Sequence, residues 1–145
     1  MILPYIALSD AVAAYINAET YAQAVTAVRR FSHIENKQSL TGLKCSVIPG
    51  ALVKEEMTFG GTQTFGQTVA VILQQKVKNN SAAMIDPLVA LTMEIHNSLH
   101  KINMATTPIS QWIDGGNIGP YDFDSITHGV FMSSFEINYT VEVAT

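Results

Sequence analysis

Charge is what this sequence has least of. Only 14% of its 145 residues are Asp, Glu, Lys or Arg, against about a quarter in an ordinary soluble domain. A chain so sparsely charged has little to decorate a free surface. The expectation is that it hides surface against copies of itself or against partners; a bland monomer is the competing reading. Eight Lys and Arg stand against twelve acidic residues, a formal net charge of −4, and they form no basic run. That balance excludes wrapping of nucleic acid by phosphate neutralisation. One cysteine excludes an intramolecular disulfide. The opening MILPYIALSDAVAAYINAE has no Lys or Arg ahead of its apolar residues, and Pro4, Ser9 and Asp10 interrupt them. A signal peptide is therefore not expected. No apolar run is long enough for a membrane-spanning helix. The expected place of action is a cytoplasm, or a particle assembled in one.

What is present is apolar content of 48%, enough for a core in a single domain spanning residues 1–145. Ser9 is a candidate cap for a helix running to about Glu19, with Leu8, Val12, Tyr15 and Ile16 on one face. A strand is expected over about 23–32. LKCSVIP reads as another, with Leu43, Cys45 and Val47 on one face. Pairing is expected to stop at Pro49, which cannot donate to a ladder. LVKEEMT and QTVAVILQQKV, the latter over about 67–77, read as strands flanking the Gly-rich FGGTQTFG. Together they form a long hairpin, or a projecting arm over about 50–66.

The spacing of Leu88, Thr92, Ile95, Leu99 and Ile102 predicts a second helix, with Asp86 as its cap and Pro87 at its first position. TTPISQWIDGGNIGPYDFD reads as a loop carrying Trp112. In GVFMSSFEINYTVEV, Phe131, Phe135, Ile137, Tyr139, Val141 and Val143 alternate with Met132, Ser134, Glu136, Asn138, Thr140 and Glu142. A strand this long is expected to overhang its own sheet and to need a neighbour. The fold class is α+β: a mostly antiparallel sheet packed by two main helices.

Chemistry is scarce. His96 and His100 stand one helical turn apart, but the motif reads HNSLH rather than H-E-x-x-H, and no third ligand suggests itself. A solvated polar face outweighs a metal site. DGGNIGP lacks the Lys-Ser/Thr ending of a phosphate loop. Asp122 and Asp124 would share one side of a strand without further acidic company. Cys45 has no activating base, and Lys44 points to the opposite face. It reads as a small buried apolar residue. Catalytic, cofactor and metal residues are expected to be none.

The ordered combination of AYINAETYAQ, AVTAVRRFSHIENKQSLTGLKCSVIPG, QTVAVILQQKV, IDPLVALTMEIHNSL and GPYDFDSITHGVFMSSFEINYTVEV resembles the tail completion proteins of tailed bacteriophages, the group that includes tail terminators. The resemblance spans roughly residues 9–143. Its most specific marks are LKCSVIP, the QKV strand end, IDPLVAL and the SFEINYTV ending. FSHIENKQSLTG departs from the commoner pattern, in which a proline and more acidic residues occupy this connection.

The resemblance implies a structural virion protein of the head–tail neck, assembled in the host bacterial cytoplasm, and not an enzyme. Such proteins form a ring, usually a hexamer, at the head-proximal end of the tail tube. The ring ends tube polymerisation and meets the head connector or stopper protein, while DNA passes through its lumen. A head-completion or stopper role on the portal side is the alternative; a small ligand-binding or metal-dependent α+β enzyme is a remoter one. Arg29 and Arg30 would serve either as intrachain partners of acidic residues or as an intersubunit ion pair. Phe59, Gly60, Gly61 and Phe65 around the hairpin tip, with Trp112, Glu136 and Glu142, are the other interface candidates. Glu55, Glu56, Glu136 and Glu142, facing a lumen, would keep DNA from adhering.

Overall fold

A computed structural model describes residues 3–57 and 61–144. The tip candidates Phe59 and Gly60 lie outside these residues, as does the side chain of Glu56.

Helix α1 spans Tyr5–Ala18. Leu8, Val12 and Ile16 are buried along one stripe, and burying that stripe stabilises the helix. The helix starts earlier than its expected cap. Pro4 precedes it, where a missing N–H costs nothing, and Ser9 is buried within it. The strand expected over 23–32 contracts to β1, Ala27–Arg29, because only these residues find a partner, in parallel register with Cys45–Val47.

Strand β2 spans Lys44–Met57 and passes through Pro49-Gly50 without stopping. The expected break is instead a bulge: the register against β3, Thr62–Lys76, shifts between Pro49 and Leu52. Pro49 is tolerated because β1 has already ended and β2 is by then an edge strand. Gly50 is demanded by space, since a Cβ there would lie 2.8 Å from the Thr68 carbonyl oxygen. The Tyr5 hydroxyl donates to the Gly50 carbonyl and ties the bulge to α1. The expected long hairpin is therefore present as β2 and β3.

Helix α2 spans Ala82–Ser98. It starts after Ser81, about one turn before the expected Asp86-Pro87 start, and Pro87 lies inside it. The expected stripe holds as far as the C-cap, with Leu88, Thr92, Ile95 and Leu99 buried; Ile102, expected on the same stripe, lies beyond the helix end and packs half-buried against the core. The expected loop around Trp112 is partly ordered as strand β4, Gln111–Asp114, strand β5, Ile118–Gly119, and helix α3, Phe123–Thr127. Asp122 caps α3 by accepting from the Asp124 backbone N–H at 3.2 Å, so the two carboxylates do not line a strand. Strand β6 spans Val130–Ala144 with the expected alternation of buried and open positions.

The sheet order is β1-β2-β3-β6-β4, with β5 also on β6. Only β1–β2 is parallel. The fold is α+β. The buried residues of α1 and α2 join odd-numbered residues of β3 and β6 in one core, so both long helices cover the same sheet face. The overhang expected of β6 is absent on one side, where β3 accompanies it from Thr62↔Ala144 to Lys76↔Val130. The extension is thus three-stranded rather than a lone hairpin.

Within the covered face, Gln67 and Tyr139 are adjacent across β3 and β6, and each is 1% exposed. The Gln67 carboxamide and the Tyr139 hydroxyl have no hydrogen-bond partner among the described residues. Burying an unpaired hydroxyl costs about 1–3 kcal/mol. Tyr139→Phe, which removes that hydroxyl and keeps the ring, is expected to leave stability unchanged or raise it by about 1 kcal/mol. Urea denaturation measures this; a clear loss would show that the hydroxyl is satisfied.

Candidate functional site

The two long helices leave the other sheet face uncovered, and at its far end the chain around Ile34 packs on it and buries Gln74. In the half of the sheet nearest the hairpin tip, this face carries Thr64, Gly66 and Thr68 from β3 and Asn138, Thr140 and Glu142 from β6, all partly or fully exposed. Glu136 is exposed a little further back. Glu55, from β2, reaches over Gly66, where a Cβ would meet its Oε1 at 2.6 Å.

A short relay stiffens the floor. The Thr68 hydroxyl donates to Asn138 Oδ1 at 2.9 Å, and Asn138 Nδ2 donates to Asp114 Oδ1 at 2.7 Å. Val53 and Ile113 rise on either side of it and bound a groove of about 300 Å³. Among the described residues this half of the open face has no basic side chain. Lys54 lies in the row of Phe65 and Val141, on the opposite face. The sheet's other basic residues, Arg29, Lys44 and Lys76, sit toward its far end, as does Arg30 directly after β1.

The arginine pair is engaged within the chain. Arg29 Nε lies 2.7 Å from Asp10 Oδ1 in an exposed ion pair, with its guanidinium 5.2 Å from the Phe31 ring centroid. Arg30 donates to the Ser46 hydroxyl at 2.9 Å and to the Cys45 carbonyl at 3.3 Å. Gly61 turns the chain into β3 with φ of 75°. Phe65 is half-buried on the covered face beside Val141. Trp112, expected in a loop, is an edge-strand residue paired with Tyr139. Glu136 and Glu142 are thus brought onto one face, which Arg30 shares only at the far end of the sheet, beside Ser46; Arg29, Phe65 and Trp112 are not on it.

The two histidines diverge. His96 packs edge-on to Phe135, with ring centroids 5.2 Å apart, and His100 packs against Trp112 at 4.8 Å. No group of three metal-capable side chains occurs among the described residues. A second cleft, of about 420 Å³, lies under the chain after β1 and beside α3. Its polar groups hold structure: Gln74 clasps Ile34 through both its carboxamide atoms, at 2.9 and 2.7 Å. Lys37 Nζ donates to the His128 carbonyl at 2.8 Å. No helix of the described residues is long and apolar enough to cross a membrane.

No protein-family profile matches the chain, and no curated protein matches it. The site therefore has to be judged on its own chemistry. Among the described residues it offers carboxylates and hydroxyls on a bare sheet, and the Thr68 hydroxyl there donates to the Asn138 amide oxygen.

Cys45 is buried against the core at 1% exposure. Burial pushes its thiol from 9.0 up to about 12, outweighing the Arg30 charge, which pulls the other way. Folding thus holds the proton on. Below pH 9 this costs the fold nothing; as pH rises toward 12, the unfolded chain alone loses the proton and stability falls. At pH 8 the native protein is expected to resist a thiol reagent that labels it fully in urea. Rapid labelling without denaturant would show that Cys45 is accessible.

Proposed function

We propose that this protein is a structural ring subunit of a phage head–tail neck, acting as a tail terminator at the head-proximal end of the tail tube. The observation that carries the reading is the one-sided sheet. Two helices cover one face; the other extends bare toward the hairpin tip, with exposed Glu55, Glu136 and Glu142 among hydroxyl and amide side chains. No basic residue interrupts that half among the described residues. A channel that passes DNA needs a wall to which phosphates do not adhere, and a carboxylate-bearing wall repels them.

The ring is built from this chain alone. Heterologous contacts between identical subunits close when their rotation closes. The tail tube protein meets one end of the ring and the head connector the other. The role involves no turnover. The portal-side stopper role uses the same ring geometry and differs in position alone.

Particles lacking this protein test the reading. Electron microscopy is expected to show overlong tails, or finished tails not joined to heads. Tails of normal length, joined normally, would contradict it.

A further inference from the structure

The outer edge of β2 is open from Ala51 onward. β1 pairs only with Cys45–Val47, and among the described residues no other strand takes up the far side of β2. Ala51, Leu52, Val53, Lys54 and Glu55 are all exposed. In a strand with one covered face, every second residue should be buried. Leu52 and Lys54 share the rows of Gln67 and Phe65, on the helix-covered face, yet the helix layer stops short of them. Leu52 is 40% exposed and Val53 55%. An edge left open at apolar residues is a template for another strand.

The register of β2 narrows the choice of that strand. Against β3 it shifts between Pro49 and Leu52 and again between Lys54 and Met57. Between the shifts, Leu52, Val53 and Lys54 pair regularly with Gln67, Gly66 and Phe65. Val53 is the midpoint of this regular stretch. Two copies of one strand can pair antiparallel about a two-fold axis. They keep their bare faces on the same side when some residue lies opposite its own copy.

Charge selects which residue that is. An axis at Lys54 would set two ammonium groups opposite each other, and one at Glu55 two carboxylates; like charges directly opposite are destabilising. An axis at Leu52 would set Glu55 opposite Pro49, which has no N–H to donate. An axis at Val53 sets Leu52 opposite Lys54 and Ala51 opposite Glu55, so no like charges meet.

We infer that β2 pairs antiparallel with β2 of a second copy of this chain, about a two-fold axis at Val53. The two Val53 side chains meet on the bare face. On the other face the aliphatic stem of each Lys54 lies along the Leu52 of the other copy. The contact joins two three-stranded extensions into one sheet. It is isologous and closes at two copies. It therefore goes beyond the proposed ring, whose contacts are heterologous, and does not rest on it.

Position 53 tests the axis directly. Val53→Cys is expected to give a disulfide-linked dimer on mild oxidation. Glu55→Cys is not, because the axis sets residue 55 opposite residue 51. Native Cys45 is buried and serves as the internal negative control. Val53→Glu, which sets two carboxylates opposite each other beside Glu55, is expected to keep the native circular dichroism and lose the dimer. Mixing it with Val53→Lys is expected to restore a dimer of one copy of each, which native mass spectrometry tells from either homodimer.

Cross-linking of Glu55→Cys as fast as Val53→Cys would overturn the register. A Val53→Glu protein that still dimerises, or a mixture with Val53→Lys that forms no mixed dimer, would overturn the axis. Monomers at every concentration, with no cross-links at position 53, would overturn the pairing altogether.

Discussion

The pairing of β3 with β6 is the constraint on which the rest depends. It runs without a register shift from Lys76↔Val130 to Thr62↔Ala144. Because side chains alternate with period two, one register decides the face of every residue in both strands. Val69, Val71, Leu73, Phe131, Phe135 and Ile137 go to the helices. Thr68, Glu136, Asn138, Thr140 and Glu142 go to the open face. A slip by one residue would exchange the core for the surface. β2 joins this pair along nearly its whole length, absorbing Pro49 and Gly50 in a bulge. The result is a stiff three-stranded extension that carries its own edges.

That stiffness links packing to function. An isolated hairpin is marginal in water, and an arm made of one would order only against a neighbour. Here the third strand is already in place. The extension can therefore present a preformed surface, and association need not bear the entropy of ordering it. The unpaired Gln67 and Tyr139 groups beneath it are a stability cost within this same extension.

Much of this was legible in the sequence, for identifiable reasons. The alternation in β6 is clean because one face is covered and the other bare. The α2 stripe is clean for the corresponding reason in a helix. What could not be read was set by partners distant in the chain. β1 is short because β2 offers it only three positions. β3 begins before its apolar residues because β6 pairs with the polar Thr62–Thr68 segment as well. β4 was hidden as a short edge strand followed by two glycines; Trp112-Ile113 before Gly115-Gly116 was the one signal of it. The early start of α1 was masked by the lack of a capping side chain. The acidic character of the bare face was anticipated residue by residue at Glu136 and Glu142.

The central claim is that this chain is built to close on itself as a ring. Sedimentation of the purified protein, alone and mixed with tail tubes, tests it most directly. The account predicts a discrete species whose mass is a fixed multiple of the 15.8 kDa subunit, either free in solution or bound at tube ends. A protein that stays at one subunit mass in both samples would contradict it.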